Sequence, residues 1–167
     1  MKRLYTALIS AAILLISADG FMSYAQLPTQ GVWNATRIST NTDITLEGDV
    51  TIKGTITINS GKSLTIRNTS GSDYTLTVDE SFKNGTNIFD NSGSLKIVGN
   101  IEGHIILDGG ADFEFSQDAN LNPVKLNAKT AKKVGAAIKN NGALTLDYVT
   151  IMNVNDSNTN GGAITSS

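Results

Sequence analysis

The sequence predicts an all-β chain wound into a solenoid, and three observations carry that prediction. Near the end, Gly135-Ala136-Ala137-Ile138-Lys139-Asn140-Asn141-Gly142 returns in degenerate form as Gly161-Gly162-Ala163-Ile164, so that Ile138 and Ile164 occupy equivalent places. An earlier copy, Ile88 to Ile97, matches Ile138 to Leu146 in apolar and turn positions, with Ile88 close to two such periods before Ile138. A period of about 26 residues marks stacked units, none of which buries its own apolar face alone. From Asp43 onward, finally, apolar residues alternate with Thr or Lys. That period of two belongs to strands and contradicts a helix, where apolar residues recur at three and four.

Taken in order, the chain opens on a targeting segment. Lys2 and Arg3 form a charged start, Ala7 to Ala18 is nearly unbroken apolar, and Ser23-Tyr24-Ala25 offers small residues at the positions a signal peptidase reads. Residues 1–25 are therefore expected to be a signal peptide cleaved after Ala25. The apolar stretch of about 12 residues is too short for a membrane anchor, which needs ~20. The mature chain would run from Gln26 to Ser167, enough for one domain, with no membrane span of its own. Removing Lys2, Arg3 and Asp19 leaves 11 basic against 14 acidic residues. Without a basic stripe, nucleic acid is not an expected partner. Lys129, Lys132 and Lys133 read as a solvated loop. Cysteine is absent, which excludes disulfides and thiolate metal sites.

Residues 26–42 precede the regular pattern and are expected to cap the stack, with Trp33, the sole tryptophan, plugging the open end. A sugar-stacking platform is the sharper reading of Trp33. The repeats themselves fill 43–167. The pairs Ile44/Leu46, Val50/Ile52, Ile56/Ile58, Leu64/Ile66 and Leu76/Val78 each set two apolar side chains on one face. They continue as Leu95/Ile97, Ile105/Leu107, Phe113/Phe115, Val124/Leu126, Leu144/Leu146 and Val149/Ile151. Ile, Val and Thr suit strands, and turn clusters such as Asn59-Ser60-Gly61-Lys62 and Asp90-Asn91-Ser92-Gly93 separate them. Strands this short suit the flat faces of a coil better than a sandwich.

Three such strands with their turns make a coil of about 26 residues, so the expected architecture is a right-handed parallel β-helix of four to five coils. The uneven spacing between pairs lets loops bulge at some corners and not at others. A left-handed hexapeptide helix competes only over 44–61, where units of six recur, and the register is lost by Gly61. The final Gly161-Gly162-Ala163-Ile164-Thr165-Ser166-Ser167 opens a repeat, which predicts an uncapped C-terminal end with further coils beyond it.

Residues 48–66, Gly135-Ala136-Ala137-Ile138 and Gly161-Gly162-Ala163-Ile164 together resemble right-handed parallel β-helix surface proteins of bacteria. They are similar to the adhesin-like group containing the chlamydial polymorphic outer membrane proteins, whose repeats carry Gly-Gly-Ala-Ile and Phe-x-x-Asn. Here Phe89 is followed by Asp90-Asn91, so the second motif is altered. The resemblance covers about 43–167. It implies an exported passenger on a Gram-negative outer surface, with host or matrix glycans or proteins as partners, and it implies no active site or cofactor.

An enzyme is the rival reading, because β-helices also carry polysaccharide lyases and glycoside hydrolases. The candidate carboxylates are Asp108, Asp112 and Glu114, with Asp118 nearby. Ile105-Ile106-Leu107-Asp108-Gly109-Gly110 is slightly similar to the Ile-Asp-Gly turn of polygalacturonase-like enzymes, and hydrolysis needs two carboxylates about 5–10 Å apart. Asp112 and Glu114 share a strand face at about 6.8 Å. Asp-Gly-Gly is equally an ordinary turn. A lyase would want an arginine base, and after the leader only Arg37 and Arg67 remain. His104, the one histidine, is expected at a corner. Asp156, Asn158 and Asn160 could offer oxygens to calcium but lack an EF-hand glutamate, so a polar loop is the plainer reading.

Asn91 and Asn141 fall at matching corners and are expected to satisfy turn backbone or stack on one another. Thr45, Thr55, Thr57 and Thr65 face outward, but Glu47, Lys53 and Lys62 interrupt any ice-binding array. Asn34-Ala35-Thr36, Asn68-Thr69-Ser70 and Asn84-Gly85-Thr86 fit the glycosylation pattern, which chance explains in a chain rich in Asn and Thr.

Overall fold

The computed structural model describes residues 26–82, 85–110, 112–116, 125–130, 136–154 and 163–166. Among these residues every regular element is a strand. β1 (Gly31–Trp33), β2 (Thr36–Ile38) and β3 (Thr42–Thr45) each enter a different sheet. The chain then revisits the same three sheets in the same order through β4 (Val50–Ile52), β5 (Ile56–Ile58) and β6 (Ser63–Arg67), and again through β7 (Tyr74–Val78), β8 (Phe89–Asn91) and β9 (Ser94–Val98). β10 (Ile105–Asp108) rejoins the first sheet. β11 (Asp112–Ser116) and β12 (Lys125–Thr130) intervene before β13 (Ile138–Asn140) and β14 (Ala143–Asp147), and β15 (Val149–Met152) and β16 (Ile164–Ser166) begin another pass. All pairings within the three sheets are parallel. Each parallel neighbour is reached only by a long crossover, here supplied by the other two sheets. Three parallel sheets visited in rotation are the arrangement expected of a parallel β-helix.

Alternation then fills the interior with aliphatic ladders. Val50, Leu76, Leu107 and Ile151 lie in register in the first sheet. Ile56, Phe89, Ile138 and Ile164 do so in the second, and Ile44, Ile66, Ile97 and Leu146 in the third. Each fully buried aliphatic side chain contributes about 1.5–3 kcal/mol. The exposed Arg67–Asp43 ion pair, 3.1 Å long, belongs to a class worth at most about 1 kcal/mol. Stacking, not surface charge, holds the chain together. Trp33 sits at the first end, fully buried, with its indole N–H donating to the Pro28 carbonyl at 2.8 Å. It is the first inward rung of the Trp33–Ile52–Val78 ladder, and its ring is closed to any sugar.

Four expectations change. The regular pattern starts before residue 43, since β1 and β2 already pair in register with β4 and β5. The period is not uniform either. In the second sheet Thr36, Ile56, Phe89, Ile138 and Ile164 are successive partners, so the second and third steps are longer than the Ile138–Ile164 step and the first is shorter. Ile138 pairs with Ile164 as the repeat predicts, but its other partner is Phe89 and not Ile88. The register there follows the corner beyond β8, where a Cβ on Gly142 would collide with the Gly93 carbonyl oxygen and one on Gly93 with the carbonyl oxygens of Asn59 and Lys62. Only glycine lets the passes approach so closely.

Phe113/Phe115 and Leu126 are also reassigned. Their strands exist but pair with each other, antiparallel, with Phe115 opposite Leu126 and an irregularity at Asp112/Phe113. β11 and β12 form a hairpin of their own, and not two further strands of the stack. Alternation encodes a two-faced strand and says nothing about which strand it will pair with. Val124 lies outside the described residues.

Candidate functional site

The connections between sheets are unequal. From first sheet to second, successive passes use residues 34–35, 53–55, 79–88, 109–137 and 153–163. From second to third they use only 39–41, 59–62, 92–93 and 141–142, and from third to first 46–49, 68–73, 99–104 and residue 148. The long insertions, 109–137 foremost, therefore gather along one edge of the stack. In repeat proteins such insertions map to one face, often the binding face, because loops can vary without disturbing the ladders that carry them.

The short corners are built from side-chain amides. Asn91 is fully buried, donates to the Asn140 Oδ1 at 2.7 Å and the Ala143 carbonyl at 2.8 Å, and accepts from the Gly93 N–H. The stacked partner is thus Asn140 rather than Asn141, the same one-residue shift as at Phe89. Asn68, 2% exposed, donates to the carbonyls of Ser72 and His104 and accepts from the Ser70 N–H and hydroxyl. Asn100 donates to the Asn68 and Ser70 carbonyls one pass on. Buried loop backbone needs such partners. With its amide enclosed, Asn68 offers no glycosylation site. This second amide corner was not legible in the sequence, where Asn100 follows no repeat.

Asp108 ends β10, where the longest insertion begins. Its Oδ1 accepts from the Gly110 N–H at 2.9 Å and from the Asn153 side-chain amide at 3.0 Å. Gly110 has a φ of +67°. The carboxylate thus ties its own turn to the next pass. Asp112 and Glu114 follow in β11, opposite Thr130 and Asn127, so all three residues lie on or beside the same connection between the first and second sheets. Asp118, Asp156, Asn158, Asn160 and Asn84 lie outside the described residues.

The other groups a lyase or hydrolase would recruit sit elsewhere. His104 precedes β10 at the third-to-first corner, its backbone N–H donating to Asp73 Oδ1 at 2.7 Å and its ring 5.8 Å from that of Tyr148. Arg67 is engaged by Asp43 through three contacts of 3.1–3.3 Å. Arg37 lies in β2, three strand spacings, or roughly 14 Å along the stack, from β13. The described residues hold no cluster of three or more His, Asp or Glu able to bind a metal.

A cavity of about 420 Å³ lies at the first end of the stack, between Gln26, Leu27 and the stretch 37–43. No sequence motif announces it, because it is made of turn residues. No family model, curated protein or solved structure matches this chain.

Proposed function

We propose that this chain is an exported, non-enzymatic surface protein: a right-handed parallel β-helix of four full coils and the start of a fifth, akin to the adhesin-like repeats it resembles. Residues 1–25 direct export, and the first pass, which begins within 26–42, closes the first end. The inserted edge between the first and second sheets meets host or matrix glycans or proteins. The observation that carries this reading is the concentration of insertions at that one corner, on a scaffold whose remaining features are apolar ladders and amide-bonded turns.

The test removes the insertion and keeps the scaffold. The first pass closes the same corner with only 34–35, so a short turn in place of 111–135 should leave the stack folded. Binding of the purified protein to host cells or matrix should be lost while the circular dichroism spectrum keeps its β shape. Binding that survives the deletion would remove the corner from the account. Mass spectrometry of surface material should find Gln26 as the first residue.

A second reading, the N-terminal part of a polysaccharide lyase or glycoside hydrolase, draws on Asp108, Asp112 and Glu114 sharing that corner. It requires polyuronate cleavage by the protein that disappears on Asp108→Asn.

A further inference from the structure

We infer that the cavity at the first end of the stack is a binding site for a carboxylate-bearing sugar, separate from the inserted corner. Its charge comes from Arg37, the exposed outward residue of β2 and one of the cavity's walls. The other guanidinium of the described chain, on Arg67, is satisfied by Asp43. That pairing also neutralises the only carboxylate on the cavity wall. Arg37 has no hydrogen-bond or ionic partner among the described residues, so a fork of N–H donors faces a region with no competing negative charge.

The remaining wall matches the rest of a sugar acid. Asn41 uses its Oδ1 to accept from the Ser63 N–H at 3.1 Å, and among the described residues its NH₂ has no acceptor. Thr42 donates its hydroxyl to the Thr40 carbonyl at 3.1 Å, so the Thr42 oxygen can still accept, and among the described residues the Ser39 hydroxyl has no partner. Leu27 and Ile38, both 4% exposed, form the closed apolar base behind these polar groups. A volume of about 420 Å³ falls in the range of small-molecule sites. An apolar ligand would leave these donors unpaired and lose free energy. A neutral sugar would leave the guanidinium unused, whereas a carboxylate takes it in a two-point, charge-assisted pair.

The probe is D-glucuronate, titrated into the purified protein by NMR and calorimetry, with D-glucose and acetate as comparators. Saturable binding of glucuronate is expected, stronger than either comparator, with shifts at Ser39, Asn41 and the Arg37 side chain and weakening as salt rises. Arg37→Gln should raise the Kd about tenfold or more, and Arg37→Lys should restore part of the loss. Arg37 is exposed and contacts no partner among the described residues, so the melting temperature of Arg37→Gln should match wild type, separating loss of a ligand from loss of fold. Three results would overturn the assignment: no saturable glucuronate binding, acetate or glucose binding as well as glucuronate, or Arg37→Gln binding unchanged. The site lies at the end of the stack and the deletion of 111–135 does not touch it, so either proposal can fail alone.

Discussion

The two ends of the stack carry the same kind of sequence and bury it very differently. At the first end and through the middle, Trp33, Ile52, Ile56, Leu64, Ile66, Leu95 and Ile97 are fully enclosed. At the far end Leu144, Leu146, Val149 and Ile151 are only partly buried, and Ile164 is 41% exposed. Yet Leu146 stands on the same ladder as Ile97 and Ile66, and Ile164 on that of Ile138 and Phe89. A strand here does not bury its own side chains. The pass stacked upon it does, which is the nearest-neighbour logic of a repeat protein.

That contrast can be broken most forcefully by charge. Ile97→Asp places an unpaired carboxylate among aliphatic neighbours on both sides and should cost about 4 kcal/mol or more, enough to abolish the cooperative melt. Ile151→Asp, on a rung reached by solvent, should still give a folded protein with a lowered melting temperature. Equal damage from the two would mean the far end is as enclosed as the middle.

Truncation sharpens the same comparison at smaller scale. Leu95→Ala should lose about 2–5 kcal/mol in denaturant unfolding, and Leu144→Ala, one rung above it, roughly half as much, because a partly exposed cavity refills with water. Smaller still are the polar changes. Asn91→Ala removes the donor to the Ala143 carbonyl and the Asn140 amide oxygen at a part-buried corner and should cost about 1–3 kcal/mol. Arg67→Ala removes an exposed ion pair and should cost less than about 1 kcal/mol.

Much of the scaffold was legible from residues alone. The inward ladders from Ile44 to Leu107 and the Ile138–Ile164 step follow from alternation and repeat, which act locally. Register was harder. Ile88 and Phe89 are both apolar and both fully buried, so composition could not choose between them, and the choice falls to the crowded Gly93 and Gly142 corner. The hairpin of β11 and β12 escaped because partner choice is a property of the fold and not of the strand. Of the candidate sites, Asp108 was legible as a turn, whereas the uneven corners showed only as irregular spacing. The cavity beside Arg37 left no trace, since its wall joins the start of the described chain to a turn that carries no motif.

Hydrogen exchange across the whole chain tests the central claim most directly, because backbone protection reports how fully each strand is enclosed by its neighbours. The slowest amides should lie in β5, β6, β8 and β9, with protection falling through β14 to β15 and β16. Protection in β15 and β16 equal to that of β6 and β9 would contradict the claim that each pass depends on the next for its burial.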